Sequence, residues 1–272
     1  MEIKRKCGLE KLSKQPLAYV LIQIRFSPIS LLENYIDKIQ AALNKVGFPL
    51  IERNENLSVN VMPTGINTQK WLQWTFKSVD QRTNIVFDKN QISFQTTDYS
   101  IFEDFYEKFS SVFSTIFDLI PDFVTSNKIQ RLGLRYIDQI IPQAENDTVS
   151  SYIKTDYTVC PIFGNQQRMN SVAQSGEITI ENDITGFITV KLSEGKNGTP
   201  IPPELMARAP VLVRNEQKEI DTGIIDIDHS YMPKVPEDYD ENRLKLLFYR
   251  MHDNTNNVFK QIVSDEGMQK WK

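Results

Sequence analysis

Two short strings in the chain combine residue types that can bind ions or transfer protons. In the first, from Asp226 to His229, strand alternation places Asp226 and Asp228 on one face about 7 Å apart, and the histidine follows them. Carboxylate oxygens suit hard divalent cations, imidazole suits softer metals, and both groups can act as general acids or bases. Asp226, Asp228 and His229 are therefore candidate catalytic residues, and the two aspartates are candidate metal ligands.

The same string also has structural interpretations. The two carboxylates could face Arg25, Arg131 or Arg135 across a sheet and form a buried network of ion pairs, or they could be exposed to solvent. The spacing alone does not choose among these alternatives. No motif in the sequence requires a cofactor, and we expect none.

The second string runs from Arg131 to Asp138 and predicts a strand that is stopped by Pro142. Its arginines, Arg131 and Arg135, lie roughly 13 Å apart on one face, a spacing that suits two partners along a groove. Gly133 between them lets another group approach the backbone. Together with Arg25 these residues are candidate contacts for an anion or an acidic peptide, and the alternative is that the arginines are ion-paired and stabilise packing. The opposite face of the strand carries Leu132, Leu134, Tyr136 and Asp138.

The second string resembles the signature of a family of sporadically distributed bacterial and archaeal proteins of unknown function. That signature is Arg-Leu-Gly-x-Arg-Tyr-Ile-Asp/Asn near mid-chain, and residues 131–138 fit it. The run Leu17 to Val20 and the triplet Gly47 to Pro49 are also similar to that family. The resemblance spans nearly the full chain and implies no activity, cofactor or catalytic residue. The sporadic distribution implies an accessory role in a defence or toxin-neutralising system of prokaryotes.

Composition limits the classes of protein to consider. The chain has 272 residues, of which 40% are hydrophobic and 24% charged, as in folded globular proteins. The net charge of −4 argues against a nucleic-acid partner. The longest uninterrupted apolar stretch, Ala18 to Ile22, is far shorter than the ~20 residues that cross a bilayer. Two cysteines provide neither a disulfide framework nor a zinc site, so we expect a cytoplasmic protein with no membrane contact.

Hydrophobic periodicity predicts the elements that position the two strings. In the first half, residues 17–26 alternate as a strand, and residues 28–47 contain an amphipathic helix stopped by a glycine. Alternating runs between residues 57 and 97 predict an antiparallel meander of about four strands. Ser100 and Glu103 form a predicted capping box at the start of a phenylalanine-rich helix.

The second half is predicted to contain another antiparallel sheet and a long helix. In chain order, the patterns indicate a linker at 144–151, strands between 167 and 192, a mobile loop at 193–203, strands at 210–214 and 220–230, and a helix at 239–263. The apolar stripe of that helix is interrupted at Thr255. The predicted fold is therefore α+β, with two antiparallel-sheet lobes at residues 1–143 and 144–272. Each lobe is expected to be covered by amphipathic helices.

The lack of a catalytic signature favours a non-enzymatic binding or accessory protein. Its arginine-lined groove would face a protein partner or a second copy of the chain in a homodimer. The alternative is a metal-dependent hydrolase, in which Asp226, Asp228 and His229 activate water and Arg131 and Arg135 hold an anionic phosphoester. The alternative requires the two strings to lie close together on one face.

Overall fold

The chain forms an α+β protein built on one large antiparallel sheet. The computed structural model describes residues 12–62, 65–121, 123–144, 146–154, 157, 170–196, 202, 205 and 221–272. The strands are β1 (Leu17–Phe26), β2 (Leu50–Met62), β3 (Gly65–Lys77), β4 (Thr83–Asp88), β5 (Gln91–Thr96), β6 (Lys128–Ile140), β7 (Asn170–Glu181), β8 (Ile184–Lys196), β9 (Asp221–Tyr231) and β10 (Glu237–Asp238). The helices are α1 (Ile36–Lys45), α2 (Phe102–Phe117), α3 (Phe123–Ser126), α4 (Glu241–Ile262) and α5 (Asp265–Trp271).

The order of strands in the sheet is β2-β3-β4-β5-β1-β6-β9-β8-β7, and β10 pairs with β6. The sequence predicted a separate sheet in each half of the chain. The structure instead joins the two halves, because β6 hydrogen-bonds to β1 along one edge and to β9 along the other. The backbone groups of both edges of β6 are thereby satisfied within one sheet. A division of the chain into lobes after residue 143 stays a prediction.

The predicted elements of the first half are largely confirmed. β1 has the predicted bounds. α1 ends before Gly47, whose φ of +99° is a left-handed conformation that glycine adopts without strain. The turn between β4 and β5 is a tight hairpin, in which Oδ1 of Asp88 accepts from the backbone N–H groups of Asn90 and Gln91. The predicted capping box of α2 was wrong. Ile101 occupies the N-cap in an extended conformation and caps no N–H with its side chain.

One face of the sheet is apolar, and the helices α1, α2 and α4 pack on it. Alternate side chains of β1 and β5 are buried there with the phenylalanine stripe of α2, and the rings of Phe26 and Phe117 meet edge-on with centroids 5.4 Å apart. The ring of Phe109 on α2 contacts Phe248 on α4, with centroids 6.0 Å apart. We call this group of side chains the first core cluster. Every apolar residue of the predicted α2 stripe is buried in it.

A second core cluster lies on the same face, towards β8 and β9. It joins Ile225 and Ile227 of β9 with Phe259 near the end of α4 and with Trp271 of α5. The ring of Trp271 packs on Tyr152, with centroids 5.3 Å apart. The two clusters therefore share α4, whose first half packs in one and whose last turns pack in the other.

Two predictions for the second half need correction or lie beyond the described residues. The loop predicted at 193–203 is wrong for its first residues, because β8 continues to Lys196 and pairs there with Asp221 of β9. Apart from residue 202, the rest of that predicted loop lies outside the described residues. The predicted strand at 210–214 lies outside the described residues. Among the helices within those residues, none is long and apolar enough to cross a membrane.

Candidate functional site

The face of the sheet opposite the helices is polar at its centre. Strand alternation sends Gln23 of β1, Gln91 and Gln95 of β5, and Arg131 and Arg135 of β6 to this face. With Asp228 of β9 these side chains line a recess of about 140 Å³, which we call the polar cleft. Leu205 also lines it. The arginine string predicted from sequence thus faces a real concavity.

Arg135 is neutralised by one of the predicted aspartates. Its Nε donates to Oδ1 of Asp226 at 2.7 Å and its Nη2 donates to Oδ2 at 2.6 Å, which makes a two-pronged pair. The side chains are 12% and 5% exposed, respectively. A buried guanidinium and carboxylate each need the other, since either alone would be desolvated without compensation. The structural alternative for Asp226, an ion pair with an arginine of the second string, is therefore confirmed.

Arg131 is bound differently. Its Nη1 donates to Oε1 of Gln23 at 2.7 Å, and Gln23 carries no charge. Within the described part of the chain, no carboxylate lies at ion-pair distance from this guanidinium. Burial lowers the pKa of Arg131, Asp228 raises it, and the positive charge of Arg25 lowers it. Arg25 stands directly opposite Arg131 in the pairing of β1 and β6, so two like charges share one place on this face.

Gly133 has a specific role beside this arginine. A Cβ atom at Gly133 would lie 2.9 Å from Nη1 of Arg131, closer than real Cβ contacts allow. The guanidinium therefore folds back over the glycine and occupies the space that a side chain would fill. The sequence predicted that some group approaches the backbone at Gly133. In the structure that group is Arg131 itself.

Asp228 faces the same cleft, and within the described residues its carboxyl group has no hydrogen bond and no ion pair. It is half-buried, and burial raises the pKa of its carboxyl, whereas the charges of Arg131 and Arg135 lower it. In the strand register Asp228 stands opposite Arg135, while the carboxylate of Asp226 reaches Arg135 along the diagonal. Among the described residues, the cleft therefore combines the ion pair of Arg135 and Asp226 with a looser group of ionisable side chains around Arg131.

His229 does not join the two aspartates. It lies on the opposite, apolar face of the sheet, is fully buried, and its Nδ1 lies 3.3 Å from the carbonyl oxygen of Met251 on α4. Burial lowers the pKa of its imidazole to about 4. In the part of the chain that is described, no group of three or more His, Cys, Asp or Glu side chains could hold a metal ion. The arrangement required by the hydrolase hypothesis is therefore not assembled by Asp226, Asp228 and His229.

Sequence reasoning missed the glutamines. Gln23 holds Arg131 in place, and Gln91 and Gln95 supply amide groups on the neighbouring strand. The signal was present in the string Gln-Ile-Ser-Phe-Gln at 91–95, whose strict alternation of polar and apolar residues is typical of a strand with one solvated face. The same alternation would have separated His229 from Asp226 and Asp228, since neighbouring residues of a strand point to opposite faces.

The sequence of this chain was compared with protein-family models and with curated proteins. Its sequence matches no protein-family model, and no curated protein is similar to it. The resemblance of residues 131–138 to the signature of an uncharacterised prokaryotic family stays a prediction.

Proposed function

We propose that this is a non-enzymatic binding or accessory protein, which holds an acidic segment of a protein partner in the polar cleft. Arg131 and Arg25 contact the carboxylate of that segment, and the glutamines contact its backbone. The proposed setting is the cytoplasm of a prokaryote. The resemblance of residues 131–138 to the uncharacterised prokaryotic family favours a role in a defence or toxin-neutralising system.

The state of Arg131 is the observation that carries this proposal. A guanidinium presents five N–H donors, and hydrogen bonds from it to a carboxylate are among the strongest that proteins form. Arg131 is half-buried, and its described hydrogen bond goes to a neutral amide. The nearby charge of Arg25 is repulsive. A carboxylate placed between these two arginines would relieve that repulsion and take up their remaining donors.

The other residues of the cleft favour a peptide over a phosphate-rich ligand. Asp228 places its carboxyl group beside Arg131, and the ionised form of this group would repel a multiply charged anion. Gln23 accepts from Arg131 and donates to Gln91, and Gln91 donates to Asp88. Since an amide group has two N–H donors and two acceptor lone pairs, both glutamines can also bond to a peptide backbone. The net charge of −4 would also repel nucleic acid at long range.

The proposal is tested with a labelled oligoglutamate peptide and fluorescence anisotropy at low salt. Replacing Arg131 by glutamine should weaken binding about tenfold or more, since a hydrogen bond to a charged group contributes about 1.5–3 kcal/mol. Arg53→Gln is the matched control, because Arg53 is an exposed arginine of the edge strand β2. Thermal midpoints should show that both variants are folded.

Equal weakening by Arg131→Gln and Arg53→Gln would mean that the peptide responds only to overall charge, and the proposed site would be rejected. Binding that is retained in both variants would also reject it. If the free protein were dimeric and Arg131→Gln made it monomeric, the occupant of the cleft would be a second copy of the chain.

A further inference from the structure

The two core clusters leave a cavity between them. A recess of about 140 Å³ lies there on the helix-covered face, between the start of α2, the middle of α4 and the segment that leads into β1. Phe102 and Tyr136 of the first core cluster line one side, and Leu12, Ile227 and Phe259 of the second line the other. We call this recess the seam pocket. Its walls are largely apolar, as in sites for small molecules.

Asp138 of β6 lines the seam pocket and is the group that needs explanation there. It lies on the apolar face of the sheet and is only 6% exposed. Across the described residues, its carboxyl forms no hydrogen bond and no ion pair. Burial raises the pKa of this carboxyl to about 8, with no opposing contribution from a cation. An unpaired buried carboxyl costs folding free energy, so its presence points to a role outside packing.

The neighbouring histidine is already held in one orientation. Nδ1 of His252 lies 2.8 Å from the hydroxyl of Tyr136, and Nε2 lies 3.0 Å from the amide nitrogen of Asn256. Because the Asn256 amide nitrogen can only donate, Nε2 accepts and the ring proton resides on Nδ1. The ring also stacks on Phe102, with centroids 4.2 Å apart. Both ring nitrogens of His252 therefore have hydrogen-bond partners other than Asp138.

We propose that the seam pocket binds a small organic cation, an amine with an apolar or aromatic body, whose ammonium group pairs with Asp138. The rings of Tyr99, Phe102 and Phe259 receive the body of the ligand, and their faces also favour a positive charge nearby. An apolar cavity of about 150 Å³ holds a molecule the size of benzene. The pocket therefore accepts an amine of roughly six to ten non-hydrogen atoms.

The charges around Asp138 fit a cation better than the other ligand classes. The titratable groups that face it are His252 from α4 and Tyr99 and Tyr136, and the described lining contains no lysine or arginine. An anion would meet no positive charge there. A neutral acceptor could take a hydrogen bond from the protonated carboxyl, but it would leave unused the cation-binding character of the three aromatic walls. A metal ion is not favoured either, because the described residues contain no group of three or more His, Cys, Asp or Glu side chains that could hold one.

The pH dependence of binding separates an ammonium ligand from a neutral one. An ammonium pairs with the ionised carboxylate, so its affinity should rise as the pH rises through the Asp138 pKa of about 8. It should fall again near the pKa of about 10 at which an alkylammonium loses its proton. A neutral acceptor needs the protonated carboxyl and should bind more weakly as the pH rises.

The experiment uses the full chain, with benzylamine as the probe and benzyl alcohol as the uncharged analogue. Calorimetric titration should give a benzylamine affinity at least tenfold higher at about pH 9 than at about pH 6, and tighter than that of benzyl alcohol at the higher pH. Asp138→Asn should abolish the preference for the amine. Asp183→Asn, at an exposed position in the turn between β7 and β8, should leave it unchanged.

A second measurement uses the unaltered protein and so does not depend on how the variant folds. The carbon resonance of the Asp138 carboxyl, followed against pH, should titrate at a lower pH when benzylamine is present, because the ammonium stabilises the ionised form. An unchanged titration, or tighter binding of benzyl alcohol than of benzylamine at about pH 9, would overturn the proposal. Equal loss of binding in Asp138→Asn and Asp183→Asn would do the same.

Discussion

The ionisable side chains on the two faces of the central sheet differ in whether a partner of opposite charge lies beside them. On the polar face, Arg135 and Asp226 are both charged and lie in direct contact. On the helix-covered face, His229 and Asp138 are buried where no described partner of opposite charge reaches them, and burial shifts each pKa towards the uncharged form. A buried charge can be stabilised by a partner on the next strand, whereas a buried group without a partner becomes neutral. The difference lets one sheet hold an ion pair and a neutral acid only a few residues apart.

The largest effect should follow from breaking the pair on the polar face. Asp226→Ala removes the carboxylate that accepts from Nε and Nη2 of the largely buried Arg135, and we expect it to lower the free energy of unfolding by about 3–5 kcal/mol. Urea denaturation at neutral pH measures this. The double variant Arg135→Leu/Asp226→Leu should be more stable than Asp226→Ala, since it removes the buried guanidinium together with the carboxylate. A loss below about 1 kcal/mol in Asp226→Ala would show that the pair is hydrated as a surface pair is.

Asp138→Asn on the helix-covered face is expected to change the folding stability by less, and to increase it. The pKa of Asp138 is about 8 in the folded protein and near 3.8 when exposed, so the unfolded chain releases its proton first. Folding stability therefore decreases as the pH rises from the lower value to the higher one. Asp138→Asn removes this loss and should be more stable than the wild type by about 2–4 kcal/mol at alkaline pH. Below about pH 4 the difference in stability between Asp138→Asn and the wild type should disappear. A difference that does not change with pH would contradict a buried Asp138 carboxyl without a partner.

The smallest change in folding stability concerns His229. Its contribution is lost as the pH falls, whereas that of Asp138 is lost as the pH rises. Its pKa is about 4 in the folded protein against 6.5 when exposed, so the unfolded chain takes up a proton first as the pH falls. The stability that the neutral imidazole contributes is present above the higher value and is lost as the pH falls to the lower one. We expect this loss to be about 1–3 kcal/mol. His229→Gln should flatten the acid limb of the stability curve measured by urea denaturation, and an unchanged limb would show that His229 is not its source.

Local patterns predicted the elements better than their pairing. The alternation of β1 and the phenylalanine stripe of α2 were sufficient, because a buried face repeats with the period of its own backbone. The pairing of β6 with β9 could not be predicted in this way, since residues such as Tyr136 and Ile227 are far apart in sequence and carry no local mark of each other. For the same reason the sequence predicted two sheets where the described residues form one.

The candidate sites show the same division. Arg131, Gly133 and Arg135 were predicted to share a face, and they do. Which arginine would be paired depended on the register of β9, which the sequence does not reveal. Strand alternation placed Asp138 with Leu132, Leu134 and Tyr136 on an apolar face. The apolar stripe of the C-terminal helix was interrupted at Thr255, and in the structure Thr255 lines the same pocket as Asp138. Both signals were visible, but only the packing of α4 on β6 brings them together.

The central position of β6 also affects how the chain can reach this structure. The hairpins β2–β3, β4–β5 and β7–β8 join neighbouring segments, whereas β6 pairs with strands that lie roughly a hundred residues away in either direction along the chain. Closing such long loops costs entropy before the contacts form, so these pairings should be late and slow events in folding. Both the polar cleft and the seam pocket depend on β6. Neither the polar cleft nor the seam pocket can form until the C-terminal half has been synthesised and has docked, so an incomplete chain should bind neither of the proposed ligands.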